Sequence, residues 1–229
     1  MARDESLGAL GKAAAGYVED GMNVGLGTGR AAVAFVRALA ERVKNGLRIV
    51  GVPTSEATRE LARSLGIRLA TLADVPELDL TIDGADEVDP NLDLVKGLGG
   101  ALVREKIVAA SSRRFVVVVG SEKLVERLGV KTPLPVEVVP FALPLAEKRL
   151  AALDSRPALR AKDGKTFVSD NGNHIVDCQF REIADPATLD VAIRAIPGVV
   201  GTGLFVGMAE RVLVQHQESV RVLKRGEAR

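Results

Sequence analysis

Met22-Asn23-Val24-Gly25-Leu26-Gly27-Thr28-Gly29-Arg30-Ala31 is a short apolar run, then a cluster of glycines, then the start of an Ala/Val-rich stretch that reaches Lys44. Met22–Leu26 reads as a strand and Ala31–Lys44 as a helix, so the glycines stand at a strand-to-helix turn. The same alternation recurs outward from there. Arg48–Val52 reads as a second strand, closed by Pro53-Thr54-Ser55, and Glu56–Leu65 has helical spacing. Leu78–Ile82 and Leu92–Lys96 read as further strands, followed by a helix over Ala101–Ala110 and a strand at Phe115–Val119. Short continuous apolar strands separated by helices predict a parallel sheet covered on both faces. Such sheets place their ligands at the carboxyl ends of the strands.

The pattern changes after Pro133. Pro135–Val139 reads as a strand and Leu143–Leu153 as an amphipathic helix. Leu159–Lys162, Thr166–Ser169 and His174–Cys178 read as strands joined by Asp163-Gly164 and Asp170-Asn171-Gly172-Asn173, both strong hairpin signals. A helix over Pro186–Arg194 and a strand after Pro197-Gly198 complete an α+β unit, and Leu204–Met208 with Arg211–Gln215 is expected to rejoin the first domain. The fold class expected is therefore α/β, a Rossmann-like parallel-sheet domain with a second, smaller α+β domain. The boundaries expected are 1–130 plus 205–229 for the first and 131–204 for the second.

Hydrophobic residues make up 47% of the 229, enough to fill a core, and aromatics only 3%, so that core is built from Val, Leu, Ile and Ala. Lys plus Arg (31) nearly cancel Asp plus Glu (30), and the only dense basic stretch is Arg221–Arg229, read as a solvated end. No concentrated basic face argues for nucleic acid. Cys178 is the only cysteine, so an internal disulfide and a thiolate metal site are both excluded; it reads as a buried apolar filler. His174 and His216 show no metal-ligand spacing. MARDESLGAL lacks an apolar stretch after its charges and does not read as a signal peptide, and no apolar run is long enough to span a bilayer. A cytoplasmic protein with no membrane partner is expected.

Three motifs carry chemistry. Glycines at Gly25, Gly27 and Gly29 let backbone approach an anion, and the following helix N-terminus supplies amides and the positive dipole end. The loop is not a dinucleotide fingerprint: the third glycine would fall on Arg30, and the second strand ends without a carboxylate for a ribose hydroxyl. A single phosphate or small polar ligand fits better, held by Gly27, Thr28, Gly29 and Arg30. Thr81-Ile82-Asp83-Gly84-Ala85-Asp86-Glu87 places Asp83 and Asp86 three apart at a strand's carboxyl end, which suits hydroxyl binding, acid–base work or a cation. Lys96-Gly97-Leu98-Gly99-Gly100-Ala101 followed by Arg104-Glu105-Lys106 joins a cation, exposed amides at Gly99 and Gly100, and a carboxylate early in a helix. Enolisation beside a carbonyl needs a base and donors for the oxyanion. Glu105 alone would pass for ordinary helix surface, since Glu near a helix start is favourable; motifs at successive strand ends argue otherwise. Lys123, in Ser121-Glu122-Lys123, reads equally as a phosphate ligand and as a surface lysine.

Gly25-Leu-Gly-Thr-Gly29, Asp83-Gly-Ala-Asp-Glu87, Lys96-Gly-Leu-Gly-Gly-Ala101 with Arg104-Glu105-Lys106, and Asp170-Asn-Gly-Asn173 resemble ribose-5-phosphate isomerase, type A, over nearly the whole chain. The resemblance implies interconversion of ribose 5-phosphate and ribulose 5-phosphate, part of the pentose phosphate pathway. Glu105 would be the base shuttling a proton between C1 and C2 through an enediolate. Asp83 and Asp86 would contact sugar hydroxyls and assist ring opening, Lys96 would neutralise the oxyanion, Thr28 would lie in the substrate loop and Lys123 would help bind the phosphate. It further implies no metal or organic cofactor, a homodimer or homotetramer, and a ferredoxin-like smaller domain. One departure is visible: the family loop commonly reads Gly-Thr-Gly-Ser-Thr, and Arg30 and Ala31 stand in place of the last two. Two competing readings are a non-catalytic sugar-phosphate-sensing domain, which would need an output module not seen before the fold starts, and an acyl-CoA transferase with a glutamate nucleophile.

Overall fold

The computed structural model of the chain describes residues 7–227. Most of the stretch read as lacking a signal peptide, residues 1–6, lies outside the described residues. In chain order, α1 (Gly8–Ala15) leads to β1 (Asn23–Leu26), α2 (Arg30–Lys44), β2 (Val50–Pro53) and α3 (Glu56–Ser64). β3 (Leu80–Gly84), β4 (Glu87–Val88), β5 (Leu94–Val95), α4 (Leu102–Ala110) and β6 (Phe115–Gly120) follow. Next come β7 (Leu134–Val138), α5 (Leu143–Ala151), β8 (Arg156–Leu159), β9 (Ala161–Lys162), β10 (Lys165–Thr166) and β11 (His174–Gln179). The order ends with α6 (Pro186–Arg194), β12 (Val199–Thr202), β13 (Leu204–Phe205), β14 (Arg211–His216) and β15 (Ser219–Lys224).

The residues group into two compact units. The first takes in the chain up to Ala85, Arg104–Lys123 and the chain from Met208. Its six-stranded sheet runs β15-β14-β6-β3-β1-β2. Every pairing from β14 to β2 is parallel, and only β15 is antiparallel. The strands are almost wholly apolar because both faces are covered. On one face Val24, Leu26, Leu80, Ile82, Val116 and Val118 pack with Leu10 and Ala14 of α1 and Phe35, Val36 and Leu39 of α2. On the other, Val52 and Leu78 pack with Val108 of α4. Helix α1 has no counterpart in the sequence reading: its Gly and Ala residues carry little apolar periodicity. Their smallness instead lets two backbones touch, since a Cβ on Gly11 would stand 2.4 Å from the Ala34 carbonyl oxygen of α2.

The second unit is Asp86–Val103 with Leu124–Gly207. Its four-stranded antiparallel sheet, β12-β7-β11-β8, is built by the order β7-α5-β8-β11-α6-β12, which is ferredoxin-like. Leu134, Val136, Val138, Val176 and Cys178 pack under Ala146 and Leu150 of α5 and Ile193 of α6. Asp163 and Gly164, both left-handed (φ 52° and 73°), close the expected hairpin between β9 and β10.

Several expectations need correction. Leu92–Lys96 is not a strand of the parallel sheet; only Leu94–Val95 is extended, pairing antiparallel with β4 and β13. Leu92 is left-handed (φ 59°), and Asp89 Oδ1 accepts the Asn91 and Asp93 amides, so the chain turns before it can extend. Leu204–Phe205 belongs to that same small sheet, and the rejoining of the first unit begins at Met208. Residues 86–103 and 124–130 accordingly group with the second unit. Thr166–Ser169 is strand only at Thr166, with Val168 bridging His174. The basic tail is not all solvated end: Arg221–Lys224 lies in edge strand β15, in register with β14. An edge strand carrying Arg221 and Lys224 resists further pairing.

Cys178 is fully buried, and burial pushes its thiol up to about 12. At pH 8 the native chain is expected to leave Ellman's reagent unreacted and to release one thiol equivalent on unfolding. Rapid reaction without denaturant would show the second core to be open.

Candidate active site

In the first unit the carboxyl ends of β1, β3 and β6, adjacent in the sheet, present Gly27–Arg30, Asp83 and the turn Ser121–Lys123 at one edge. Asp83 is fully buried, and its Oδ1 accepts the amides of Thr28 (2.9 Å) and Gly84 (2.7 Å). Gly27 makes this approach feasible, because a Cβ there would lie 2.3 Å from Asp83 Oδ1. Gly29 has φ 94° and ψ 173°, a region essentially reserved for glycine. It offers no side-chain cap to α2, so the amides of that first turn keep no intrahelical acceptor and face an anion readily. Arg30, the first residue of α2, is exposed, and Lys123 is half-buried.

The hydroxyl of Thr28 is turned inward. Its Oγ1 lies 2.7 Å from Thr54 Oγ1, 2.8 Å from Ser55 Oγ and 3.2 Å from Thr58 Oγ1. Thr58 also donates to the Gly27 carbonyl (2.9 Å), Thr54 to that of Leu26 (3.1 Å), and Ser55 Oγ accepts the Thr58 amide to cap α3. This hydroxyl cluster fixes the loop from behind. In the sequence Pro53-Thr54-Ser55 marks only the lack of a carboxylate for a dinucleotide; the spacing Ser55-x-x-Thr58 is the signal for this cluster.

Glu105 is 5% exposed in the first turn of α4. Its height follows from packing. The Thr81 hydroxyl of β3 meets the Val108 carbonyl at 3.4 Å, and a Cβ on Gly25 would strike Val108 Cγ1. Helix α4 runs against the strand direction, so three residues back along it raise Glu105 by about 4.5 Å. Two residues along β3 raise Asp83 by about 6.6 Å. Both buried carboxylates therefore stand at the same end of this sheet. The neighbouring Arg104 is directed to Glu56 (2.7 Å), whose carboxyl that hydrogen bond holds below its usual range.

In the second unit, the Lys96 amide donates to the Gly203 carbonyl and its ammonium lies 5.4 Å from the Phe205 ring centroid, with the residue 2% exposed. Lys96 is thus a buried cation with a cation–π contact. Asp86, half-buried, accepts the Leu98 amide on Oδ2 at 2.9 Å. Gly97 (φ 104°) and Gly100 (φ 87°) bracket a turn closed by the Gly100 amide on the Gly97 carbonyl, which leaves Gly99 exposed and Gly100 buried. Glu87, in the same motif as Asp83 and Asp86, folds a loop: its carboxylate accepts the amides of Gly129, Lys131 and Thr132. Among the described residues no three His, Cys, Asp or Glu side chains gather as a metal-binding group. His216 meets Ser121 Oγ at 3.1 Å.

A parallel sheet carrying a glycine loop and buried carboxylates at its strand ends defines the class, an α/β enzyme. Residues 50–219 match the family Ribose 5-phosphate isomerase A (phosphoriboisomerase A). Ribose-5-phosphate isomerase A of Roseiflexus castenholzii is 57% identical over 207 residues, 89% of this chain and 88% of that protein. Ribose 5-phosphate isomerase A from Methanocaldococcus jannaschii has a TM-score of 0.92 at 40% identity, covering 96% of this chain and 99% of that one. A D-ribose-5-phosphate isomerase in complex with phospho-erythronic acid has a TM-score of 0.93 at 40% identity, covering 96% and 98%. The chain belongs to the ribose 5-phosphate isomerase A family, whose members are aldose–ketose isomerases.

Gly27→Ala forces a Cβ into Asp83 and is expected to destabilise the protein by about 1–3 kcal/mol. This is read as a lower urea midpoint at unchanged slope. A midpoint equal to wild type would mean that Asp83 is not packed against the loop.

Proposed function

We propose that the chain interconverts ribose 5-phosphate and ribulose 5-phosphate through an enediolate, with Glu105 as the base. The observation that carries this is the pair of buried carboxylates, Asp83 and Glu105, at the strand ends that also bear the Gly27–Arg30 loop. In the open-chain aldose, Glu105 takes the proton from C2, and the electrons of that bond form the C1–C2 double bond while the C1 carbonyl oxygen becomes anionic. The same carboxyl returns a proton to C1, and the C2 carbonyl forms as the O2 proton passes to O1. Lys96 supplies positive charge for the oxyanion, where preorganised charge counts most. Asp83 and Asp86 hold sugar hydroxyls and assist ring opening. Gly27, Thr28, Gly29, Arg30, Gly99, Gly100 and Lys123 hold the substrate, with Thr28 and Gly100 doing so through the loops that the Thr28 hydroxyl anchors and the Gly100 amide closes.

The similar isomerase bound to phospho-erythronic acid supports this reading. Such a compound joins a phosphate to a sugar acid, whose planar, anionic carboxylate shares charge and planarity with the C1 end of an enediolate. No metal or organic cofactor enters these steps. A homodimer or homotetramer goes with the reading. A cytoplasmic location also goes with it; no helix among the described residues is long and apolar enough to cross a membrane.

Glu105→Gln keeps the shape but cannot accept the proton, and a coupled assay is expected to show kcat down by about 10²–10⁴ with binding of a phospho-sugar acid retained. A variant keeping half of wild-type turnover would remove Glu105 from the role.

Arg30 is exposed beside the capless amides of α2, which supports the proposal that it binds the phosphate in place of two loop hydroxyls. A guanidinium fork matches phosphate bidentately. A charge-assisted contact of about 1.5–3 kcal/mol corresponds to roughly ten- to a hundredfold in affinity. Arg30→Ala should raise KM by that factor, and less for a substrate analogue lacking the phosphate. A KM within about twofold of wild type would exclude the contact.

A further inference from the structure

Arg160 follows β8, more than fifty residues from Asp86 and from the Lys96–Lys106 motif, and its guanidinium is spent in two directions. Its Nε donates to Asp177 Oδ2 at 2.8 Å and its Nη2 to Asp177 Oδ1, a two-pronged ion pair with β11. Its Nη1 donates to the carbonyls of Gly97 (2.9 Å) and Leu98 (3.1 Å). The side chain is only 11% exposed, and the Phe167 ring lies 5.8 Å from the guanidinium carbon. Phe167 also closes on the other end of the turn: a Cβ on Gly100 would stand 2.4 Å from Phe167 Cζ. The Phe167 amide in turn donates to the Arg160 carbonyl, tying the two together.

The Gly97 carbonyl and the Leu98 amide are opposite ends of one planar trans peptide. Whatever fixes the carbonyl therefore aims the N–H. Here that N–H points at Asp86 Oδ2, 2.9 Å away. Gly97 lacks a side chain and sits at φ 104°, so the local backbone holds this peptide plane by one bond, the Gly100 amide on the same carbonyl, and the Arg160 fork adds the second. We propose that Arg160, oriented by Asp177, is a positioning residue for Asp86. It locks the Gly97–Leu98 peptide plane so that the Leu98 amide holds the Asp86 carboxylate in one orientation, and its charge on the carbonyl strengthens that amide as a donor. The proposal rests on the role given to Asp86 in the isomerisation.

The test is a cycle of variants in the full-length protein. Arg160→Met keeps the apolar stem and removes the fork. Misplacing a reacting group by about 1 Å costs on the order of 10² in rate, so kcat is expected to fall ten- to a hundredfold with KM changed less than about threefold. Arg160→Lys, with charge but no fork, should restore little of it. In an Asp86→Ala background the same Arg160→Met change should alter kcat by less than about twofold; a merely structural arginine would cost the same factor in both backgrounds and overturn the proposal. If Arg160→Met does not fold, Asp177→Asn takes its place: it keeps the arginine and weakens its anchor, with the same direction expected. A separate readout does not depend on activity. In ¹⁵N-leucine-labelled protein the Leu98 amide should shift and lose exchange protection in the Arg160 or Asp177 variant, and an unchanged Leu98 signal overturns the proposal. Wild-type protein that does not isomerise ribose 5-phosphate would defeat the functional reading, and the Leu98 signal would still decide whether Arg160 sets Asp86.

Discussion

The carboxylate of Asp83 has no exposed surface, and a buried charge is tolerated only where hydrogen bonds replace the water it has lost. Two of those bonds come from backbone amides, Thr28 on the loop after β1 and Gly84 at its own strand end. The requirement propagates outward. Residue 27 must be glycine so that the loop comes close enough, and residue 29 must be glycine so that the chain then turns into α2. The loop must also be held from behind, which the hydroxyls of Thr54, Ser55 and Thr58 do. The shape of the candidate phosphate loop is thus a consequence of burying one aspartate at the end of β3.

The second unit uses buried charge in the same way. Glu87 gathers three amides of the 129–132 loop, and Glu137, in the middle of β7, gathers Ser169, Asn171 and Asn173. The Asp170–Asn173 segment, read from sequence as a hairpin turn, is therefore held by a side chain as well as by its backbone. Arg160 and Asp177 do for the Gly97–Gly100 turn what Glu87 does for its loop. In each case a flexible, glycine-containing segment is given one conformation by a charged group whose own burial demands partners. Breaking one partner leaves the other as an uncompensated charge, so these contacts cost more to lose singly than they contribute as pairs.

Much of the fold was legible because the apolar periods are clean. Val24–Leu26, Leu80–Ile82 and Phe115–Val119 are buried on both faces and carry no polar alternation except Thr81, whose hydroxyl is accounted for by Ser112 and Val108. The elements misread are those where local pattern and tertiary pairing part company. Leu92–Lys96 has the composition of a strand, yet the Asp89 carboxylate turns the chain and leaves two residues to pair. Helix α1 has almost no pattern, since what stabilises it is close backbone packing through Gly11. Strand β15 looks like a charged tail because an edge strand needs charge.

The sequence by itself determined the parallel sheet, the glycine loop, and the residue types of the candidate site: Asp83 at a strand end and Glu105 early in a helix of the first unit, with Asp86 and Lys96, which the fold places in the second. Spacing along a strand or helix sets which end and which face a side chain takes, so these could be read without coordinates. Only the tertiary structure decided that the Thr28 hydroxyl turns inward, that the Gly100 amide closes its own turn, and that Arg160 reaches Gly97 and Leu98 from more than sixty residues away. Such contacts join segments whose separation in sequence carries no period. They exist because buried polar groups must find partners wherever the fold brings one, and no local pattern encodes which partner that will be.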